Sequence, residues 1–244
     1  MILVANGCSH TAGAEMEYPL QRRCYDKAWP KHLAELLKYD HVNLSDSGAS
    51  SHRVVRTTTR YVLDNLTNIH DHFFIIAWPG AYRDEFKYSE SFTDLEKESF
   101  YDDEWLPLVA GNDKHYKSIF TSKLYTVYKA WVLSHSTVKA SMDYMRDIIF
   151  LQNLLLMFKA KFLFLEASHV NIPKDDPDLA GYSGLIAKKT FPHFGNPNHT
   201  LTTLLKNNGQ TVSEFSIQSG FGSHYDEKAQ RWYASYVHSL LPNR

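Results

Sequence analysis

Short apolar runs along the chain alternate with longer segments in which apolar residues recur at helical spacing. The runs at residues 1–6, 73–77 and 161–166 are nearly continuous in apolar residues, which is typical of strands covered on both faces of a parallel sheet. Residues 41–44 predict a further short strand, and residues 212–217 predict a weaker one.

Helical periodicity fills most of the segments between these strands. It covers residues 27–38, 50–66 and 117–159, the last as two helices or one long bent helix, and it returns after residue 224. Regular alternation of strand and helix predicts an α/β fold, because a crossover helix is the usual connection between parallel strands. We expect a flavodoxin-like, three-layer α/β/α sandwich with a mainly parallel central sheet.

Two segments break this alternation, and we interpret them as insertions in a single domain that spans residues 1–244. Residues 81–115 mix aromatic and acidic side chains, which favours either a lid over the sheet's carboxyl edge or ordinary packing on the core. Residues 168–199 are rich in Pro, Gly, Asp and Asn and are predicted to be loop.

Composition narrows the class of protein. The chain has 244 residues, of which 43% are hydrophobic, and this suffices for the core of one α/β domain. Its formal net charge of −1 gives no basis for electrostatic binding of nucleic acid. No apolar run approaches the ~18 residues that cross a bilayer, and no signal pattern precedes the first strand. We therefore expect a chain made in the cytoplasm, with the virion or host lysis as routes of release, that binds neither nucleic acid nor membrane.

Spacing of the cysteines and histidines matches no metal or redox motif. The two cysteines, Cys8 and Cys24, are predicted to be free thiols, and the thirteen histidines show no regular ligand spacing. The sequence thus predicts no metal and no cofactor, and it leaves the oligomeric state open.

A serine turn after the first strand is the strongest candidate for chemistry. Gly7-Cys8-Ser9-His10-Thr11-Ala12-Gly13 follows the strand directly, and such strand ends are where open α/β sheets bind ligands. Serine needs an imidazole base to act as a nucleophile at neutral pH, and His224 lies just before the last predicted helix. The alternative for Ser9 is a helix N-cap, a common structural role for serine.

These motifs resemble the blocks of the SGNH (GDSL-type) esterase and lipase superfamily. Gly7-Cys8-Ser9-His10-Thr11 resembles its nucleophile block, with cysteine in place of the usual aspartate, and Phe221-Gly222-Ser223-His224 resembles its histidine block. Residues 43–51 resemble the second block, whose glycine is Gly48 here. The resemblance implies a nucleophilic Ser9, a basic His224 and a Gly48 N–H that binds the oxyanion.

The sequence departs from this family at the triad acid. The family places aspartate three residues before the histidine, where Phe221 stands here. A backbone carbonyl near Phe221 could orient the imidazole, or a carboxylate elsewhere could do so. The candidates are Asp226, Glu227 and Glu214, although the first two also fit the first turn of the last helix.

The oxyanion site departs from the family as well, because no asparagine follows the third strand. The segment instead reads Ala77-Trp78-Pro79-Gly80-Ala81-Tyr82-Arg83. We expect Arg83 either to supply a cationic donor or to form a surface salt bridge with Asp84 or Glu85. Trp78 is predicted to shape the pocket wall. His10 and His52 flank the site in sequence, and each either contacts substrate or is an ordinary polar residue.

The leading interpretation is a serine hydrolase that cleaves a small ester, and the expected reaction is removal of an acetyl group from an acylated carbohydrate. Some members of the resembled family with abbreviated blocks are carried by bacteriophages, which implies glycan deacetylation during attack on a host surface. Two alternatives stay open. One is a binding or structural protein that keeps the fold with weakened or lost activity, and the other is an acyltransferase that uses the same serine.

Overall fold

A computed structural model of the chain describes residues 1–19, 21–87, 105–173, 175–219 and 224–241. The strands are β1 (Ile2–Gly7), β2 (Asp40–Asn43), β3 (His72–Trp78), β4 (Arg83–Lys87), β5 (Trp105–Val109) and β6 (Lys161–Glu166). The helices are α1 (Ser9–Ala12), α2 (Trp29–Leu37), α3 (Ser51–Asp64), α4 (Asp113–Ile119), α5 (Ser122–Ser134), α6 (Thr137–Met157), α7 (Pro177–Leu185), α8 (Leu201–Asn207), α9 (Glu214–Gln218) and α10 (Glu227–Leu240).

The central sheet has the strand order β2–β1–β3–β6, and each of its pairings is parallel. The predicted α/β fold with a mainly parallel sheet is therefore confirmed. Because the strands run in the same direction, their carboxyl ends meet at one edge, where ligands bind in open α/β sheets. The segments that follow β1, β2 and β3 all begin at this edge.

The side chains of β3 alternate between two hydrophobic clusters, one on each face of the sheet. Phe74 and Ile76 pack with α3 and α6, whereas Ile75 and Ala77 pack with α2 and α10. All four are fully buried, as the continuous apolar run predicts for a strand covered on both faces. The arrangement gives the three expected layers.

Helix α3 connects the sheet to the segment that follows β2. Its N-cap is Ser50, whose hydroxyl accepts the backbone N–H of Arg53 at 3.1 Å. Asn6, a fully buried polar residue of β1, donates to the hydroxyls of Thr57 (2.8 Å) and Thr58 (2.9 Å) on this helix. These bonds fix α3 against the end of β1, directly beside the serine turn.

A separate antiparallel hairpin, β4 and β5, follows β3 and packs with α4 and α5 around a third hydrophobic cluster. Leu108 and Tyr128 are almost fully buried in this cluster. The hairpin lies in the segment predicted as an insertion at 81–115. The predicted lid falls largely on residues 88–104, which lie outside the described residues. Residues 117–159 form separate helices, so the long bent helix is excluded.

Two predictions about the second half of the chain are wrong. The predicted loop at 168–199 contains α7, which Asp176 caps through its side chain and which Pro177 begins. The predicted strand at 212–217 is instead helix α9, and Val212 forms only an isolated bridge with Tyr225. In the described ranges, no helix has the length and apolarity needed to cross a membrane.

Candidate active site

The serine turn is a tight connection between β1 and α1. Ser9 is the first residue of α1, and the N-cap of this helix is Cys8. Ser9 therefore does not have the N-cap role that was considered for it. A Cβ at Gly7 would lie 2.5 Å from Thr11 Oγ1 and 2.7 Å from the Ala77 carbonyl oxygen, so only glycine fits. Ser9 is 5% exposed. The two cysteines are free thiols, as predicted.

The segment after β2 is hydrogen-bonded to this turn. Asn43 Nδ2 donates to the carbonyl oxygen of Thr11 at 2.9 Å. The backbone N–H of Asp46 donates to the carbonyl oxygen of Gly7 at 3.4 Å. The Asp46 carboxylate is fully buried and accepts from Arg22 (3.2 Å) and Arg23 (2.5 Å). These contacts hold the loop that contains Gly48 next to the end of β1.

Gly48 adopts a left-handed backbone conformation with φ of 77°, which glycine reaches without strain. Ser9, as the first residue of a helix, has a backbone N–H with no partner inside that helix. The Ser9 N–H and the Gly48 N–H, which the family resemblance assigns to the oxyanion, thus lie on neighbouring segments at the same edge of the sheet.

A carboxylate orients His224, and it belongs to Glu15. Glu15 Oε2 lies 2.7 Å from His224 Nδ1, across 209 residues of sequence. The Glu15 side chain is 4% exposed. Although burial opposes its ionisation, hydrogen bonds from His224, Ser219 and Ser216 hold the pKa of Glu15 below its ordinary value. An ionised carboxylate only accepts hydrogen bonds, so the neutral imidazole paired with it has its proton on Nδ1 and its lone pair on Nε2.

Ser213 and Ser216 form hydrogen bonds with the backbone of Glu15 and His224. The Ser213 hydroxyl donates to the carbonyl oxygen of Glu15. The backbone N–H of Ser213 donates to the carbonyl oxygen of His224 at 2.8 Å. The Ser216 hydroxyl accepts the His224 backbone N–H at 3.1 Å. Glu15 itself has a φ of 56°, in the left-handed region that non-glycine residues rarely occupy. The surrounding bonds therefore impose a strained backbone on the residue that holds the imidazole.

The carboxylates that the sequence offered for this role have other partners. Asp226 caps α10 by accepting the Ala229 backbone N–H at 2.8 Å. Glu227 pairs with Arg231 at 2.6 Å, and Glu214 accepts from Gln218 at 3.2 Å. The expectation that one of these three orients His224 is corrected, and Phe221 lies outside the described residues. Asp226 and Glu227 do occupy the start of α10, as the charge pattern predicts.

His10 brings the serine turn into contact with His224. The two ring centroids are 5.1 Å apart, with the planes tilted by 54°. His10 is 5% exposed, and its Nδ1 is buried without a partner among the described residues. Burial, then the charges of His224 and Arg83, hold the pKa of His10 well below its ordinary value. His10 is therefore a neutral imidazole beside the site.

Ser9 and His224 lie on adjoining segments, but they are not directly bonded. Among the residues that the structure describes, no hydrogen bond links the Ser9 hydroxyl to His224. Bonds of this kind are often long before substrate binds. The contact that the structure does give is between the ring of His10, the neighbour of Ser9, and the ring of His224.

Arg83 begins β4 and reaches the second block. Its Nη1 donates to the carbonyl oxygen of Ala49 at 3.4 Å, next to Gly48, and its charge acts on His10. The salt bridges considered for it are not formed within the described residues. Asp84 pairs with His52 and Glu85 pairs with Arg56 instead. Within the described ranges, Arg83 is thus a cation beside His10 that forms no ion pair with a carboxylate.

Trp78 lies in the core rather than at an open wall. It is fully buried and packs edge-on against Tyr144 and Phe164. Glu166, which pairs with Trp78 in the sheet register, is 3% exposed, and burial raises its pKa to about 8. Beyond it lies a cavity of about 430 Å³. Glu166 reaches the wall of this cavity, because its Oε1 accepts the N–H of the lining residue Gly195 at 3.4 Å.

The residue that the sequence interpretation missed is Glu15. A weak signal was present, because Glu15 is an acidic residue in a stretch of small and apolar residues at 12–16. A carboxylate in such a stretch is buried only when something pairs with it. The identity of that partner could not be read from the sequence, since it lies near the other end of the chain.

The chain belongs to a family of unknown function (DUF6071), whose model matches residues 14–212. The matched range includes Glu15, Gly48 and Arg83 and excludes Ser9 and His224. No curated protein sequence matches the chain.

Several solved structures are similar to the chain over nearly its whole length. An acetyl xylan esterase, AlAXEase, is 14% identical with a TM-score of 0.46, covering 99% of this chain and 100% of its own. TesA is 13% identical with a TM-score of 0.48, covering 99% and 98%. The esterase EstA from Pseudoalteromonas sp. is 13% identical with a TM-score of 0.44, covering 98% of both chains.

Proposed function

We propose that this protein is a serine hydrolase that cleaves a small carboxylic ester. Ser9 is the nucleophile, His224 is the base, and Glu15 is the acid that orients it. The observation that carries the proposal is the 2.7 Å hydrogen bond between Glu15 Oε2 and His224 Nδ1. It completes the carboxylate–imidazole pair that a serine nucleophile needs, and it leaves Nε2 as the proton acceptor.

The reaction proceeds through an acyl-enzyme. The Ser9 hydroxyl attacks the ester carbonyl carbon and transfers its proton to His224 Nε2. Glu15 stabilises the imidazolium that forms. When the tetrahedral intermediate collapses, the C–O bond to the leaving alcohol breaks and His224 returns the proton to that alcohol. Water then attacks the acyl-enzyme, again with His224 as base, and releases the acid and free Ser9.

The developing oxyanion is bound by the backbone N–H groups of Ser9 and Gly48, with Arg83 as a cationic donor in place of the missing asparagine. A neutral His10 suits this arrangement. A second imidazolium beside His224 would oppose the protonation of His224 during acylation, and burial together with Arg83 prevents it. The finer proposal for the substrate is an acetylated carbohydrate, which is what the sequence resemblance implies.

Active-site labelling tests this proposal without knowledge of the natural substrate. A fluorophosphonate probe reacts with an activated serine, so mass spectrometry should locate the label on Ser9. The same protein should hydrolyse p-nitrophenyl acetate. Ser9→Ala should lose both the label and the turnover, by roughly a thousandfold or more in kcat.

The matched control is Ser239→Ala, which removes an exposed hydroxyl on α10 far from the turn in sequence. It should keep the label and the rate. A wild-type protein that is neither labelled at Ser9 nor active would contradict the proposal and favour a binding protein. Faster product formation with an added acceptor alcohol than with water would favour an acyltransferase.

A further inference from the structure

The β4–β5 hairpin carries Arg83 to the site, yet it is not part of the central sheet. In the described residues, β4 and β5 pair only with each other, and neither joins the central sheet. Main-chain ladder bonds therefore do not set the position of Arg83 relative to Gly48 and Ser9. Besides the short connection from β3 and the Arg83 bond to Ala49, the contacts that can do so are side-chain bonds to the adjacent helix α3.

Two ion pairs join α3 to β4, and they start from residues one helical turn apart. His52 Nδ1 lies 2.9 Å from Asp84 Oδ1. Arg56 makes a bidentate pair with Glu85, with both distances 2.8 Å. Positions i and i+4 lie on the same face of a helix, so His52 and Arg56 present two cations side by side. They meet two consecutive acids, directly after Arg83.

Each pair is supported by further contacts. Asp84 also accepts from Trp131 Nε1 at 3.1 Å, and Arg56 lies over the ring of Trp105, 4.2 Å from its centroid. The Glu85 side chain is 3% exposed. Charge-assisted bonds of a partly buried bidentate pair constrain geometry more strongly than exposed ion pairs do.

The charges around His52 keep it protonated. Its facing groups are Asp84 on β4, Asp147 and Asp143 on α6, and His135 after α5. His52 Nε2 lies 3.5 Å from Asp147 Oδ2. The hydrogen bond to Asp84, against the effect of burial, raises the pKa of His52 to about 9. His52 is therefore a cation at neutral pH, as an ion pair requires.

We propose that His52 and Arg56 of α3 clamp Asp84 and Glu85 of β4, and that this clamp is the positioning device for Arg83. The role of Arg83 in this inference rests on the proposed function, but the contacts that form the clamp do not depend on that function. The same helix begins directly after residues 48–50, so the clamp ties Arg83 and Gly48 to one rigid element. His52 and Asp84 are positioning residues that touch neither substrate nor Ser9.

The pKa of His10 reports the position of Arg83 independently of activity, because the charge of Arg83 lowers it. The experiment is an NMR titration of ¹³C-labelled histidine, with the His10 signal assigned by its loss in His10→Gln. Arg83→Met should raise the pKa of His10. His52→Gln should raise it in the same direction, and the double variant should match Arg83→Met alone.

Asp84→Asn separates a displaced Arg83 from a direct charge effect. Removal of a nearby negative charge would by itself lower the pKa of His10, whereas displacement of Arg83 raises it. The clamp predicts a rise. Arg56→Gln is the second route to the same readout if either variant fails to fold, and Arg231→Gln, at an exposed ion pair on α10, is the control that should change nothing.

Kinetics provide the second readout. If Arg83 acts on the oxyanion, His52→Gln should lower kcat for p-nitrophenyl acetate roughly tenfold with KM nearly unchanged, and the loss should vanish in an Arg83→Met background. A His10 pKa that is unchanged in His52→Gln and falls in Asp84→Asn would overturn the clamp. Loss of Ser9 labelling with a normal NMR result would instead refute the hydrolase and leave the clamp standing.

Discussion

Two histidine–carboxylate pairs of this protein make the same contact in different surroundings. His224 Nδ1 lies 2.7 Å from Glu15, and His52 Nδ1 lies 2.9 Å from Asp84. In the first pair the side chains are 12% and 4% exposed, and in the second they are 41% and 21% exposed. Distance alone does not separate the pair proposed to be catalytic from the pair proposed to be structural.

The two pairs differ at Nε2, the histidine ring nitrogen that does not face the paired carboxylate. His52 Nε2 faces a second carboxylate, that of Asp147 at 3.5 Å, so both sides of the ring are held by acids and the cation is favoured. For His224, the hydrogen bonds of the ring within the described residues are at Nδ1. A ring fixed at one nitrogen and open at the other is arranged to move a proton, whereas a ring held at both is arranged to hold one.

The largest expected effect comes from exchanging each carboxylate for its amide. Glu15→Gln keeps the side-chain volume but offers an N–H₂ group or an uncharged acceptor to Nδ1, so the tautomer and the imidazolium are no longer stabilised. We expect kcat for p-nitrophenyl acetate to fall by roughly 10³- to 10⁴-fold. Asp84→Asn, the same change in the other pair, should cost about tenfold.

Circular dichroism and fluorophosphonate labelling of both variants accompany these rates. Both proteins should be folded, and Glu15→Gln should label Ser9 far more slowly than Asp84→Asn does. Equal losses in the two variants would show that the pairs do not differ in role and would break the comparison.

A smaller effect is expected from Arg83, which the second pair serves. Arg83→Met removes the proposed donor to the oxyanion, and loss of one such donor costs about 10²- to 10³-fold in kcat. Arg83→Lys, which keeps the charge without the planar fork, should retain more of the rate than Arg83→Met does. Steady-state kinetics of the two variants measure this order. An unchanged kcat in Arg83→Met would leave the oxyanion to the two backbone N–H groups.

Most of the fold could be predicted because it depends on local pattern. The apolar run at 73–77 is buried on both faces, and that pattern alone predicts a central parallel strand. The failures are also local. Residues 212–217 contain three apolar residues among six, but Ser213 precedes a short helix there and bonds to Glu15 and His224. Tertiary contacts override such short patterns.

Most of the candidate site residues that the sequence predicts follow strand ends. Ser9, Gly48 and Arg83 are candidates because the segments after parallel strands lie at one edge of the sheet, whereas His224 is proposed from its place before the last helix. Glu15 does not follow a strand, and its partner lies 209 residues away in sequence. The nearer acids Asp226 and Glu227 carried a stronger sequence signal, but it was the signal of a helix N-terminus.

The pH dependence of stability sharpens the contrast between the pairs. The folded-state pKa of His52 is about 9, above its ordinary 6.5, so its stabilisation is full below pH 6.5 and is lost as the pH rises through 9. On the acid side, burial raises the pKa of Asp147 to about 6, so its attraction to His52 fades below that pH. Urea unfolding of wild type and His52→Gln should give a difference in unfolding free energy that is largest at about pH 6 to 6.5 and declines as the pH rises towards 9.

The matched measurement is the same difference for Glu15→Gln. The pKa of Glu15 is lowered, so its contribution is present above its ordinary value of 4.5 and disappears as the pH falls through the lowered one. A His52→Gln difference that persists unchanged to about pH 10 would contradict the ion pair. The two curves should decline at opposite ends of the pH range.

The smallest effect on activity is expected from Asp226, the acid closest to His224 in the described sequence. Asp226→Ala removes the N-cap of α10, which should lower the unfolding free energy by about 1 kcal/mol. Because Asp226 binds the Ala229 N–H and not the imidazole, kcat should stay within twofold of wild type. Asp226→Asn, which also caps helices, should restore the stability. A loss of kcat comparable to that of Glu15→Gln would mean that a second carboxylate orients His224, and His224 would then resemble His52 in being held by two acids.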